Sequence, residues 1–392
     1  MISILANNFT QSIDWLQHNV MGYGLDCKVQ IISDDKLFAR SISDSISQSK
    51  VVIFIGDTVT NKTAFCKVTK TPLVYDKRAE MALKRYCEQS STPIPQQYVF
   101  DKLCVSPEHF LSLTDSLTMQ CSCFGDVKGV RLFFIPDVLA EIKHIFSVYI
   151  HKVLCDVGKI SFIEKVKIFG LSTLNICKIF AENFDNKVLY SCCMDAGDSL
   201  LTIAFPSGVS PTFVRTTMTK VENLFKDNLY AKSDVSLEEC LVARLTQMHK
   251  TVGVAESLTG GLISNKIVSV SGASKVFFEG IVSYSIESKA TLLNVNPVVI
   301  DNRGVVSKEV SQQMAKGILK DDRIDFAIST TGYAGPTSED GKPVGLCYVS
   351  VADKLSCQTY QFNFVGSRQS IRDQATNSAL FLLLKKLQTI MV

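Results

Sequence analysis

The stretch Val254-Ala255-Glu256-Ser257-Leu258-Thr259-Gly260-Gly261 lies where an apolar strand pattern stops and a helical pattern begins. A small hydroxyl residue followed by two glycines belongs at a sharp turn, because glycine takes positive φ at no steric cost. N–H groups at the start of the next helix can face an anion or a developing oxyanion. Ser257 is therefore the candidate nucleophile. The same residues also read as a helix N-cap and a turn and nothing more.

Working outward, Ser236 and Glu239 form a Ser-x-x-Glu capping box, and Leu237, Leu241, Leu245 and Met248 follow at three-to-four spacing. That helix leads through His249-Lys250 to a strand over Thr251–Ala255, which delivers Glu256 and Ser257 to the loop. Beyond Gly261 the pattern predicts a helix burying Leu262, Ile263 and Ile267, a strand over Phe277–Tyr284 and a helix over Glu287–Leu293. Tyr284 then stands at a strand end and Lys289 in the next helix's first turns, so both can return to the rim that holds Ser257. Ser307 caps a helix through Ile318, Phe326–Ser329 is a buried strand, and Thr331-Gly332-Tyr333-Ala334-Gly335-Pro336 reads as a glycine-rich loop at its end. Strands over Leu346–Val351 and Thr359–Phe364 follow. A closing helix opens at Ser367 with Ile371, Ala375, Ala379, Leu382 and Leu383 facing the core.

A serine hydroxyl needs a base, and no histidine follows the strand. Lys289 can act as that base if desolvation or a neighbouring cation lowers its pKa, and Tyr284 can relay a proton. The N–H groups of Thr259 and Gly260 are candidate oxyanion donors. A packed tyrosine and a surface lysine are the plainer readings of the same two residues.

The N-terminal half alternates strand and helix: Ile2–Ala6, a helix with Ile13, Leu16 and Val20, Lys28–Ile32, a helix over Asp35–Ser47 with Leu37, Ile42 and Ile46 inward, and Val51–Ile55. This order predicts a parallel sheet with covering helices, and ligands of such sheets lie beyond the strands' carboxyl ends. From Glu164 to about Lys232 short strands and two helices read as a small α+β piece. The fold class is α/β: two three-layer α/β/α domains, 1–158 and 233–392, joined by a small α+β domain, 159–232.

With 392 residues the chain is too long for one ordinary core, and 46% hydrophobic with 20% charged residues is a globular balance. A net charge of +3 gives no electrostatic case for nucleic acid or an anionic membrane. No apolar run reaches the roughly 18 residues that span a bilayer, and the start of the chain lacks a basic n-region, so a cytoplasmic protein is expected. The thirteen cysteines, placed in apolar runs such as those around Cys104, Cys177, Cys240 and Cys347, read as reduced small hydrophobes. Cys121-Ser122-Cys123 and Cys192-Cys193 lack zinc-site spacing.

Five segments in order, Val254–Gly261, Ser283–Lys289, Ser329–Pro336, Lys342–Gly345 and Gly366–Arg372, resemble the C-terminal domain of the CinA (competence/damage-inducible protein) family, whose members include nicotinamide mononucleotide deamidases. The resemblance covers the chain from about Leu237 onward and extends more loosely over the rest. It implies hydrolysis of the carboxamide of nicotinamide mononucleotide through an acyl-enzyme, with Ser257, Tyr284 and Lys289 catalytic. Glu256, Thr259, Gly260, Gly261, Thr331, Gly332 and Arg368 are then substrate contacts: Glu256 binds a ribose hydroxyl or holds the loop, and Arg368 reaches the phosphate. Arg372, one turn on, is open to a surface reading. No cofactor or metal is called for, and a homodimer is the family expectation. Leu258 stands where the family commonly has cysteine and Tyr333 where it has isoleucine.

The N-terminal part is similar to molybdopterin-binding proteins, but the family loop Gly-Gly-x-Gly-Pro-Thr-x-Asp-Asp reads here Ile55-Gly56-Asp57-Thr58-Val59-Thr60-Asn61-Lys62, and Leu-Pro-Gly-Pro-Pro reads Ile135-Pro136-Asp137-Val138-Leu139. Clustered carboxylates for a metal and glycines for a diphosphate are gone, which implies a retained fold with a defunct site. Two other functions stay open: a non-catalytic nucleotide-binding regulator, and an ADP-ribose pyrophosphatase acting through the N-terminal domain.

Overall fold

In the computed structural model, which describes residues 1–390 except 33, 116, 186, 187, 339 and 340, the serine strand spans Val252–Glu256 and is buried throughout. Val252 and Val254 enter one apolar cluster with Ile263 and Ile267 and with Ile371, Ala375, Ala379 and Leu383 of the closing helix Arg368–Ile390. Ala255 faces the other way, into a cluster with Leu293, Val310, Met314 and Ile318. Alternate side chains of a strand point to opposite faces, so helices cover both faces of this sheet. Gly253 is required on the second face: a Cβ there would lie 2.5 Å from Ile318.

The sheet has five strands in the order Phe277–Val282, Val252–Glu256, Phe326–Gly332, Leu346–Asp353, Cys357–Asn363. The first three run parallel, Leu346–Asp353 pairs antiparallel with Phe326–Gly332, and Cys357–Asn363 pairs antiparallel with Leu346–Asp353. The strand expected to stop at Ser329 continues to Gly332, so Thr331 and Gly332 belong to the sheet and not to the loop. Gly332 permits the extension, since a Cβ would stand 2.7 Å from the Leu346 carbonyl oxygen. A helix over Pro297–Arg303, capped by Asn296, had no counterpart in the sequence reading.

Two compact units divide the chain: Met1–Glu164 with Phe184–Cys192 and Thr202–Thr217, and Lys165–Asn183 with Cys193–Leu201 and Met218–Val392. The first unit holds a six-stranded sheet in the order Cys27–Ile31, Ile2–Ala6, Val51–Ile55, Val130–Ile135, Cys123–Val127, Leu111–Ser112. Ile2, Ile4, Val51 and Ile53 pack on one face, and Leu5, Val52 and Phe54 on the other. Its parallel part ends at Val130–Ile135, because Lys128-Gly129, both at positive φ, return the chain in a hairpin too short for a crossover. Leu37, expected inward, is exposed: Phe38 and Ile42, four apart on the helix Asp35–Gln48, take the inner face instead. The middle segment forms a four-stranded sheet in the order Leu189–Asp195, Asp198–Pro206, Ile160–Phe169, Leu229–Ala231.

Among the described residues no helix is long and apolar enough to cross a membrane. Among the described residues no disulfide joins the thirteen cysteines; Cys104 and Cys347 are buried, while Cys177 and Cys240 are half-buried. Burial pushes the Cys104 thiol up to about 11.

Candidate active site

Strand alternation carries on past Glu256 and assigns the two residues at the strand end to opposite faces. Glu256 turns toward the helix Leu262–Val268, where its Oε2 accepts from the N–H groups of Gly261 (2.9 Å) and Ile263 (3.1 Å) and its Oε1 from Ser264 N (2.9 Å) and Ser264 Oγ (2.6 Å). A helix start leaves such N–H groups without intrahelical acceptors and favours negative charge, so this buried carboxylate satisfies both needs. The anion expected at this helix start is thus the protein's own. Of the two roles open to Glu256, its side chain stands in the loop-holding one and does not line the cavity.

Gly260 and Gly261 have φ of 58° and 93°, the sharp turn the sequence announces. Gly260 N–H donates to Ser257 O at 3.2 Å, which removes it as an oxyanion donor. Thr259 is fully buried, with Oγ1 2.8 Å from Thr330 Oγ1. Glu256, Gly260, Gly261 and the side chain of Thr259 therefore shape the loop from below, off the cavity wall.

Ser257 takes the opposite face, where the helix Ile286–Leu293 lies. Ser285 caps that helix by accepting from Ser288 N at 3.0 Å, which sets Lys289 one turn in. Lys289 is fully buried, and its Nζ donates to Ser257 Oγ at 3.0 Å, Ser283 O at 2.6 Å and Tyr284 O at 3.3 Å. Among the described residues it meets no carboxylate, and desolvation lowers its pKa to about 8. Near-neutral solutions then hold a fraction of free amine beside a serine hydroxyl.

Tyr284 does not join this pair through its side chain. Its carbonyl accepts from Lys289, while the phenol is exposed at the rim, 3.4 Å from Arg368 Nη2. The strand ends at Val282, two residues earlier than the alternation suggests, which turns the ring outward.

A cavity of ≈ 240 Å³ opens over the Ser257–Lys289 pair, with Thr331, Gly332, Tyr333 and Arg368 on its wall. Thr331 Oγ1 donates to Val305 O at 3.0 Å. Arg368 Nη1 donates to Gly335 O at 2.5 Å, which holds the guanidinium at the mouth. Among the described residues the charged side chains on the wall are Lys289 and Arg368, both basic types, so the cavity suits an anionic ligand. Its apolar side includes Val306 and Tyr333, which pack on Leu346 behind them.

Arg372, for which a surface reading was open, grips the serine loop: Nε donates to Leu258 O at 3.1 Å and Nη2 to Thr259 O at 2.9 Å. The signal available in the sequence was its place one turn after Arg368.

The corresponding loop of the first unit follows Val51–Ile55. A cavity of ≈ 500 Å³ lies at the ends of its parallel strands, lined by Asn7, Asn8, Asp57, Gln120 and Asp137 among others. Asp57 is an N-cap, accepting from Thr60 N at 2.8 Å, and Gln120 Oε1 accepts from Thr58 N at 3.0 Å. Lys62 turns into the core. Among the described residues no three His, Cys, Asp or Glu side chains stand together as metal ligands would.

The family model described as the CinA C-terminal domain matches residues 234–387. A "Putative competence-damage inducible protein" of Caldicellulosiruptor saccharolyticus is 30% identical over 97% of this chain and 96% of its own length. A "CinA-like protein" of Endomicrobium trichonymphae is 41% identical over 49% of this chain and 46% of its own. Among solved structures, a competence-damaged protein (CinA) superfamily protein of Escherichia coli aligns at 28% identity and a TM-score of 0.38, covering 38% of this chain and 88% of that one.

Proposed function

Since the chain belongs to the CinA (competence/damage-inducible protein) family, we propose that it is an amidohydrolase converting nicotinamide mononucleotide to nicotinic acid mononucleotide and ammonia. The observation that carries this reading is the 3.0 Å approach of Lys289 Nζ to Ser257 Oγ in a buried setting without a carboxylate. Neutral Lys289 removes the hydroxyl proton, and Oγ attacks the carboxamide carbon. The lysine then returns the proton to the leaving nitrogen, the C–N bond breaks, and ammonia departs. Water attacks the acyl-enzyme with Lys289 again as base, releasing the carboxylate product and restoring Ser257.

The cavity supports a mononucleotide entering ring first. At ≈ 240 Å³ it falls below the roughly 300 Å³ at which drug-sized pockets begin, so it suits the pyridine ring and amide, with ribose and phosphate at the mouth. Val306 and Tyr333 offer the ring an apolar wall. Arg368 offers the phosphate a charge-assisted contact. Ammonia release by the purified full-length protein tests the proposal, with nicotinamide mononucleotide compared with nicotinamide riboside and free nicotinamide. Turnover restricted to the mononucleotide is expected; no ammonia from it, with the protein folded, overturns the reading.

A further inference from the structure

Acyl transfer on Ser257 needs donors for the oxyanion, and the loop's amides can be accounted for one by one. Ser257 N–H goes to Thr330 O at 3.1 Å, Gly260 N–H to Ser257 O at 3.2 Å, and Gly261 N–H to Glu256 at 2.9 Å. The N–H groups of Leu258 and Thr259 have no acceptor among the described residues, and Leu258 lies on the cavity wall.

Planarity of a trans peptide fixes where they point, because its C=O and N–H lie on opposite sides. The peptide that carries Thr259 N–H also carries Leu258 O, which Arg372 Nε holds at 3.1 Å; Arg372 Nη2 holds the next carbonyl, Thr259 O, at 2.9 Å. Arg372 follows Ile371, whose cluster lies on the face with Val254, opposite the face that receives Ser257 and Lys289. Drawing Leu258 O toward the closing helix therefore turns Thr259 N–H away from it, to the Ser257 side. The peptide carrying Leu258 N–H is fixed from its other end, where Ser257 O accepts from Gly260. A glycine at 260 leaves space for the guanidinium, since a Cβ there would stand 3.2 Å from Arg372 Nη2.

We infer that Arg372 is a positioning residue: by clamping Leu258 O it aims Thr259 N–H at the oxyanion that forms when Ser257 attacks, and by clamping Thr259 O it sets the Gly260 N–H that holds Ser257 O and thereby Leu258 N–H. The inference rests on the acyl-enzyme reading above. Both donors act on the tetrahedral intermediate more than on bound substrate, so their loss lowers kcat and leaves KM in place.

Arg372→Ala, Arg372→Gln and Arg372→Lys in the full-length chain are compared with the parent for kcat, KM, Tm and the pH midpoint of kcat/KM. Arg372→Ala is expected to lose about 10²-fold in kcat with KM within about threefold and the pH midpoint, set by Lys289, unmoved. Arg372→Lys recovers only part, because a single ammonium cannot fork to two carbonyls. If Arg372→Ala does not fold, the Lys and Gln variants, each able to hold one carbonyl, must show a smaller loss likewise confined to kcat. A folded Arg372→Ala with near-parent kcat overturns the inference. So does a loss accompanied by a raised KM and a pH midpoint moved toward that of exposed lysine, which marks a general collapse of the pocket. Should Ser257→Ala turn over normally, the acyl-enzyme reading itself falls; a dead Ser257→Ala with an active Arg372→Ala removes this inference alone.

Discussion

Two fully buried lysines, one in each unit, differ in what they touch. Lys62 sits in the first helix after Val51–Ile55 and gives its Nζ to the carbonyls of Val105 (3.1 Å) and Cys121 (3.0 Å) inside the core. Lys289 sits in the first helix after Phe277–Val282 and also donates to two carbonyls, but its third partner is the Ser257 hydroxyl, and a cavity opens beside it. Neither meets a carboxylate among the described residues. A buried lysine is therefore a structural cross-tie where acceptors and packing surround it. It becomes a candidate base where a hydroxyl and a void take the place of one wall. The loop carboxylates differ in the same sense. Asp57 caps its helix from an exposed position, whereas Glu256, supplied from within the strand, takes up the helix amides and leaves Ser257 to face the lysine.

The largest test of that contrast is Ser257→Ala, which should cut turnover of nicotinamide mononucleotide by about four orders of magnitude while leaving its binding within a few-fold. Kinetics paired with equilibrium binding on the folded mutant decide it. Near-parent turnover would mean that water, not Ser257, attacks, and the contrast between the two lysines would lose its chemical content.

Next in size is Lys289→Met, with kcat lower by about 10³-fold. In the parent, kcat/KM should rise with pH through about 8 as the amine loses its proton. Stability moves the other way at neutral pH. A folded-state pKa near 8, below the unfolded value of 10.5, means that burying the ammonium opposes folding below about pH 8; parental stability then climbs between pH 8 and 10.5, where the unfolded chain holds the extra proton. Lys289→Met removes that opposition but leaves the carbonyls of Ser283 and Tyr284 without their donor, so a net gain of about 1–2 kcal/mol is expected at pH 7. The gain should vanish by about pH 10. Thermal unfolding across pH reads it out, and a destabilised Lys289→Met at pH 7 would make Lys289 a cross-tie like Lys62.

Ser257 was legible in the sequence because a strand-to-helix turn is a local feature, whereas for Lys289 the residues alone favoured a surface position and only the family resemblance set it beside the serine. The loop's supports were not legible. Arg372 reaches Leu258 and Thr259 across more than a hundred residues, and no spacing reveals that its guanidinium turns inward rather than to water. Glu256 was legible as a loop residue but its choice of face needed the strand's register. The antiparallel strand Cys123–Val127 of the first sheet was missed because a two-residue hairpin joins it to Val130–Ile135 where alternation presents continuing strand–helix units. The extension of Phe326–Gly332 was missed because glycine reads as loop where here it admits a neighbouring strand.

Arg368→Ala is a smaller effect. The residue is exposed at the mouth and already holds Gly335 O, so its contribution is a single charged contact to phosphate. KM should rise about tenfold with kcat little changed, a cost of about 1.4 kcal/mol. The increase should be absent for a substrate without the phosphate, and an equal loss with nicotinamide riboside would move Arg368 from phosphate recognition to holding the loop.

The smallest expected effect belongs to the first unit. Asp57 lines a cavity of ≈ 500 Å³ at the end of a parallel strand, the location at which such sheets bind ligands, yet its carboxylate accepts from Thr60 N as a helix cap. Asp57→Ala should therefore lower stability by about 1 kcal/mol, the usual cost of a lost cap, and leave mononucleotide turnover unchanged. Adding Mg²⁺ or Mn²⁺ with ADP-ribose to the parent should yield no AMP, because the stretch from Gly56 to Thr63 carries one carboxylate, Asp57, where paired carboxylates would have to gather a divalent ion. Chromatography of the nucleotide products with and without metal gives the answer. Metal-stimulated AMP release that disappears in Asp57→Ala would make Asp57 a ligand as well as a cap, and the two loops would then be two working sites on one chain.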